Sequence, residues 1–162
     1  MSTVRRATPE DAAVLGRLLW DFNTEFDTET DDADVLAERF ARILELPEVV
    51  AVLAEDGGEA VGFALVSLRP AIWFDGPVSQ LEELYVVPTL RSGGIGTQVL
   101  ALCRRIAQDL GSPEMHINVD EVDVDTRRFY ERHGFVNIEP GVDYRMLCYV
   151  GPTDPSLTQV VE

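Results

Sequence analysis

The chain has 162 residues, 46% of them hydrophobic, and its 29 acidic and 13 basic residues give a formal net charge of -16. This length predicts one domain with its own core, and so negative a charge argues against nucleic acid as a partner, because a binding face must neutralise phosphates. No apolar run approaches the roughly 18 residues of a membrane span, and the first residues lack the apolar core of a secretory signal, so we expect a soluble, cytoplasmic protein.

Hydrophobic periodicity and turn residues predict alternating strands and helices along the chain. The predicted strands cover residues 3–7, 49–54, 60–68, 81–87, 115–119 and 145–150. The predicted helices cover residues 8–22, 34–46, 94–110 and 126–132. We interpret residues 1–150 as a single domain and residues 151–162 as a loose tail.

Two smaller features have ordinary structural explanations. Cys103 and Cys148 lack a paired spacing and nearby histidines, which predicts two buried free thiols. The acidic run over 120–125 lacks the glycine that a calcium loop needs for its sharp turn. We therefore predict no metal there, and expect Asp123 or Asp125 to cap the next helix.

The stretch over 81–110 is the most informative part of the sequence. An alternating strand closes at Pro88, a glycine-rich turn follows, and an amphipathic helix begins near Gly94. Glycines allow backbone amides to approach a ligand, and a helix start favours anions, so the turn is a candidate phosphate site. Its candidate residues are Arg91, Ser92, Gly93, Gly94, Ile95, Gly96 and Thr97.

Two families of phosphate loop do not fit this turn. A triphosphate-binding loop needs a lysine after its last glycine, and all 13 basic residues of this chain are arginines. A dinucleotide fingerprint needs a third glycine where Val99 stands. An ordinary glycine-rich connection and a nucleotide-binding interaction module stay open as alternatives.

Arg91, Gly94 and Gly96 after a strand that ends in Val-x-Pro resemble the acetyl-CoA motif of the GNAT superfamily of N-acetyltransferases. The segment over 127–135, with its Phe-Tyr-Glu-basic-x-Gly-Phe pattern, resembles the late helix of the same superfamily. The strand LEELYVVP is similar to that of the spermidine/spermine acetyltransferases.

This resemblance implies an α/β (α+β) fold with a mixed, mostly antiparallel sheet splayed at its central strand, and about four helices. It implies acetyl-CoA as cosubstrate, held by main-chain groups at Val86 and Val87 and by the turn, and it suggests a homodimer. The chain departs from the family at Asp123 and Thr126, where many members carry Asn and Ala.

The resemblance also suggests roles for two catalytic side chains. Tyr130 matches the late-helix tyrosine, whose phenol can protonate the departing thiolate. Glu82 matches the acid, nine residues before the motif arginine, that assists amine deprotonation. Strand alternation predicts that Glu82 and Glu83 face opposite sides, unless a bulge intervenes, so either could face the acceptor.

The sequence favours a primary amine, and in particular a small cationic amine, as the acetyl acceptor. In this fold the segment linking the first two helices borders the acceptor pocket, and the acidic connection over 24–34 would attract cations. A protein lysine or N-terminal amine is an alternative acceptor, and a non-catalytic acyl-CoA-binding regulatory domain is an alternative function.

Overall fold

The computed structural model describes residues 1–157, so the end of the predicted tail, residues 158–162, lies outside the described residues. Residues 1–117 form one compact unit, and a second unit begins at Asn118. The single domain over 1–150 stays a prediction. Within the described residues no helix is long and apolar enough to cross a bilayer.

Five strands form one sheet in the order β1-β2-β3-β4-β5. The strands are β1 (Ser2–Arg6), β2 (Val49–Asp56), β3 (Glu59–Arg69), β4 (Val78–Val86) and β5 (Met115–Ile117). The helices are α1 (Ala12–Glu25), α2 (Ala33–Ile43), α3 (Ile95–Asp109) and α4 (Val124–Arg132). Single 3₁₀ turns lie at Pro9–Asp11, Pro88–Leu90 and Pro155–Leu157.

The predicted sheet is confirmed as mixed and splayed. β1 to β4 pair antiparallel, whereas β4 and β5 pair parallel over only three positions, from Ser79↔Met115 to Leu81↔Ile117. β4 continues for five residues beyond Leu81, to Val86, without β5 beside it. The two strands therefore separate in the middle of β4.

Helices cover both faces of the sheet. Leu53, Phe63 and Tyr85 pack with α1 and α2 in one buried cluster. Alternate strand residues such as Val52 and Ala64 point to the opposite face, where α3 contacts four strands. A side chain at Gly16 would clash with the backbone of α2, so this glycine permits α1 and α2 to pack closely.

The predicted strand over 145–150 does not form. This segment is exposed, and its one backbone hydrogen bond to another part of the described chain runs from the amide of Met146 to the carbonyl of Asn137. Its apolar run, which ends in Tyr149 and Val150, fits a strand, but a strand is stable only with a neighbour that completes its ladder. Residues 151–157, also exposed, include one 3₁₀ turn.

Candidate functional site

The turn between β4 and α3 presents a row of open backbone amides. Gly94 begins the helix in the left-handed region, at φ +87°, and Ser92 also has a positive φ, +65°. Within the described residues, the amides of Ser92 to Gly96 donate to no protein acceptor; the first helical bond there runs from Gln98 to the Gly94 carbonyl. Consecutive open amides at a helix start form an anion-binding concavity.

The side chains of this turn contribute little to that concavity. Residues 91–94 are exposed, whereas the Ile95 side chain is buried in the core and anchors the first turn of α3. An anion at this place would therefore be bound mainly by main-chain groups, as the sequence predicts for a phosphate site.

The Arg91 side chain turns away from the open amides. Its Nη1 and Nη2 donate to the two carboxylate oxygens of Glu25 at 2.6 and 2.8 Å, and its Nε donates to the Val86 carbonyl at 2.9 Å. The guanidinium also lies 5.9 Å from the Phe26 ring centroid and 5.6 Å from that of Tyr85. Arg91 thus joins the end of α1 to the end of β4.

Main-chain groups at the end of β4 already have protein partners. The Val86 carbonyl accepts from Arg91, and the Val87 amide donates to the Val61 carbonyl at 2.9 Å. The Val87 carbonyl accepts from the Leu90 amide at 3.0 Å, so at each of the two carbonyls only a second lone pair is available to a ligand. Cofactor binding by Val86 and Val87 stays a prediction.

A bulge in β4 places two carboxylates on one face of the sheet. Leu65 and Val66 are consecutive on β3, but their partners on β4 are Glu83 and Leu81, so Glu82 is an extra residue. Glu83 lies opposite Leu65, on the face that packs against α1 and α2. The bulge that the sequence analysis allowed for is therefore present, and regular alternation does not hold between Glu82 and Glu83.

Ser67 shows where the Glu82 side chain points. Its hydroxyl donates to the Glu82 carboxylate at 2.5 Å, and Ser67 lies two residues from Leu65, on the same face of β3. Burial, and secondarily the neighbouring charge of Glu82, raises the pKa of Glu83 above its ordinary value. The two carboxylates form an adjacent acidic pair at the point where β4 and β5 separate.

Tyr130 belongs to the second unit. It is buried on α4, and its ring contacts those of Phe129 and Phe135 at centroid distances of 5.2 and 6.0 Å. Asp123 occupies the cap position of α4 without a capping hydrogen bond from its side chain; its carbonyl accepts from the Arg127 amide instead. The catalytic role of Tyr130 stays a prediction.

The two thiols differ from each other. Cys103 is buried in α3, as predicted, but Cys148 is exposed, so the expectation for Cys148 is wrong. Its segment does not join a sheet and therefore buries no side chain there. Burial raises the pKa of the Cys103 thiol to about 12.

The sequence did not indicate the contacts that Glu25 and Ser67 make in the site, although Glu25 lies in the acidic connection over 24–34. Glu25 pairs with an arginine 66 positions away, and no local pattern announces such a contact. Ser67 is different: a polar residue inside the mostly apolar strand β3 is a signal that could have been recognised.

Strands β4 and β5 of a mixed sheet separate beside a helix N-terminus with open amides. This arrangement is the architecture of an acyl-CoA-dependent transferase. The family model described as the Acetyltransferase (GNAT) family matches residues 13–135. The chain belongs to this family of acetyl-CoA-dependent N-acetyltransferases, which use acetyl-CoA as cosubstrate.

Curated relatives include two kinds of N-acetyltransferase. Aminoglycoside N(6')-acetyltransferase type 1 of Klebsiella aerogenes is 33% identical over 98 residues, which are 59% of this chain and 62% of that relative. Aminoalkylphosphonate N-acetyltransferase of Salmonella typhimurium is 28% identical over 132 residues, 82% of this chain and 83% of the relative.

Solved structures show the same fold. A proposed acetyltransferase from Arthrobacter sp. FB24 superposes with a TM-score of 0.86 and 43% identity, over 93% of this chain and 95% of that one. AAC(6')-Iy in complex with a CoA bisubstrate analogue superposes with a TM-score of 0.72 and 23% identity, over 91% and 99% of the two chains.

Proposed function

We propose that this enzyme transfers the acetyl group of acetyl-CoA directly to a small primary amine that is protonated in solution. The observation that carries the proposal is the pair of carboxylates, Glu82 and Glu83, which the bulge brings to one face of β4. An alkylammonium ion needs such a negatively charged site before it can lose a proton and attack.

The pKa values suggest a division of roles between the two acids. An ordinary glutamate near 4.3 and an alkylammonium near 10.4 differ by about 6 units, or roughly 8 kcal/mol against direct proton transfer. The raised pKa of Glu83 narrows this gap. Glu82, held by Ser67, orients the ammonium, and Glu83 accepts its proton through water.

The neutral amine then attacks the thioester carbonyl, the carbon–sulfur bond breaks, and the thiolate leaves. Tyr130 donates the proton that converts the thiolate to the CoA thiol, a role proposed from the family resemblance. The acetylated nitrogen still carries one surplus proton, and its loss leaves the neutral amide and restores the phenol. The open amides of Ser92 to Gly96 bind the CoA pyrophosphate. Overall, an ammonium and acetyl-CoA yield an amide, CoA and one proton.

The class of acceptor is supported by the relatives, whose names give aminoglycosides and aminoalkylphosphonates as substrates. The likeness of LEELYVVP to spermidine/spermine acetyltransferases keeps polyamines in the same class. A cytoplasmic location and a homodimer stay predictions.

A CoA-release assay with a panel of amines tests the proposal. The panel contains a polyamine, an aminoglycoside, an aminoalkylphosphonate and a lysine peptide, and mass spectrometry identifies the acetylated product. We expect turnover of at least one small amine, and a loss of about a hundredfold or more in Glu83→Gln. Turnover of the peptide alone would point to a protein acceptor. Acetyl-CoA binding without any turnover would favour a regulatory acyl-CoA-binding domain.

A further inference from the structure

Polar side chains form a continuous surface beside the acidic pair, on the same face of the sheet. Ser67 on β3 lies opposite Gln80 on β4, which in turn lies opposite His116 on β5. Directly opposed residues of neighbouring strands share a face, so the three side chains stand in one row across the sheet. All three are only half-buried, and they can meet a ligand.

Arg69 extends this row. Its Nη2 lies 3.2 Å from Nδ1 of His116, a contact that reaches across β4 and requires both side chains to be on the same face. An arginine has only donors, so Nδ1 is the acceptor and Nε2 carries the proton toward the Glu114 carboxylate, 2.8 Å away. Glu114 and His116 together hold the Arg69 guanidinium in place.

Arg69 makes no ion pair within the described residues. Arg5, Arg39, Arg91 and Arg145 each contact a carboxylate, whereas the one side-chain hydrogen bond of Arg69 goes to a neutral imidazole nitrogen. Other arginines, such as Arg6 and Arg17, also make no ion pair among the described residues, so the imidazole that positions its guanidinium is what distinguishes Arg69. Four of its five N–H donors remain available for an anion.

The spacing between Arg69 and the acidic pair fits a small molecule. Ser67, which binds Glu82, and Arg69 are two residues apart on one face of β3, and a strand rises about 3.3 Å per residue, so their backbones are about 6.5 Å apart. This backbone spacing, together with the reach of the Arg69 side chain, is compatible with a short amine whose ammonium and anion are a few carbons apart.

We propose that Arg69 is an anion-binding subsite for the acceptor, and that the acceptor is a short zwitterionic amine with a phosphonate or carboxylate group. The inference rests on the proposed function, since it assumes that the amine binds at Glu82 and Glu83. A planar guanidinium binds either group through two parallel hydrogen bonds, and the more highly charged phosphonate binds more tightly.

Three amines of similar length separate the contributions of the charges. They are 2-aminoethylphosphonate, β-alanine and propylamine, which carry a phosphonate, a carboxylate and no anion. For the wild-type enzyme, we expect kcat/KM to be at least about tenfold higher for the phosphonate than for propylamine, with β-alanine between them. In Arg69→Gln this ratio should fall about tenfold, mostly through KM, and Arg69→Lys should restore part of it.

Arg105→Gln is the matched control, because Arg105 is exposed on α3, which covers the other face of the sheet, and should leave the ratio unchanged. A wild-type enzyme without preference for the phosphonate, or an Arg69→Gln variant that retains the preference, would overturn the subsite and leave the proposed function standing. If no amine is acetylated, calorimetry measures the binding of 2-aminoethylphosphonate to the enzyme with CoA present. Weaker binding to Arg69→Gln than to wild type supports the subsite. No binding to wild type, or equal binding to both proteins, overturns it.

Discussion

Arg91 and Glu25 form a bidentate ion pair between the turn after β4 and the end of α1, 66 positions apart in the sequence. Burial and, secondarily, the nearby charge of Glu25 raise the pKa of Tyr85. The Glu25 carboxylate, through its ion pair with Arg91, therefore anchors the segment between α1 and α2 to the end of β4.

Replacement of Glu25 by Gln should loosen this attachment. Half-exposed ion pairs contribute up to about 1 kcal/mol, so hydrogen exchange at residues 23–28 should become up to about fivefold faster, with a similarly small loss of global stability. Glu55→Gln, which weakens the contact of Glu55 with Arg5 at the β1 edge, is the control. If residues 23–28 exchange at the same rate in both variants, the ion pair with Arg91 does not anchor this segment.

A second prediction concerns Gly94 and the open amides. An alanine at φ +87° should destabilise the fold by about 1–2 kcal/mol and displace the amides, so CoA should bind at least about tenfold more weakly by calorimetry. Gly111, after the other end of α3, has φ +86° and equally open surroundings. Gly111→Ala should show the same destabilisation with unchanged CoA affinity; a matching loss of affinity would refute the anion site.

The half-buried acid Glu83 gives a prediction about pH. Its pKa in the folded protein is raised above the ordinary 4.5, so the folded state holds its proton more tightly than the unfolded chain. Its ionisation therefore lowers stability as the pH rises from 4.5 through the folded pKa. Thermal melting should show Glu83→Gln more stable than wild type at pH 8, and equally stable at pH 3.

Glu82→Gln is the comparison for that experiment. Burial is the larger cause of the Glu83 shift and the Glu82 charge the smaller, so this variant should keep most of the wild-type pH dependence. If Glu83→Gln melts below wild type at pH 8, the carboxylate is stabilised by contacts that outweigh its burial.

The fold and the site were predictable to different extents. Strand alternation, helical periodicity and turn glycines are local signals, and they located the β2–β3 hairpin, α3 and the turn at Gly94 within a few residues. The bulge at Glu82 depends on pairing with β3, and the Arg91–Glu25 contact depends on packing, so neither has a local signal. The segment over 145–150 has strand composition but no neighbour to complete a ladder.

Tyr130→Phe tests the proposed general acid. Removal of the phenolic proton should lower kcat about a hundredfold and leave CoA affinity within about twofold, because general acid catalysis typically contributes 10² or more. Tyr149→Phe, which alters an exposed tyrosine, is the control and should retain its rate. An undiminished rate in Tyr130→Phe would assign the proton to another group.

The contrast between the cysteines predicts the outcome of thiol titration. The Cys103 thiol, with its pKa near 12, should not react with an aromatic disulfide reagent at pH 8, whereas exposed Cys148 should. We expect one reactive thiol per native chain and two in denaturant. Cys148→Ser should abolish the reaction of the folded protein with the reagent. A remaining reaction would come from Cys103 and would mean that α3 opens.

The extra residue in β4 also affects how this chain is compared with its relatives. Deleting Leu81, for example, would restore regular pairing and turn Glu82 to the opposite side, although the composition would hardly change. If an alignment places its gap one position from the bulge, it therefore matches an acid of a relative to the wrong one of Glu82 and Glu83. Homologous positions should be counted backward from Arg91, where the chain is fixed by the turn, rather than forward from the start of the strand.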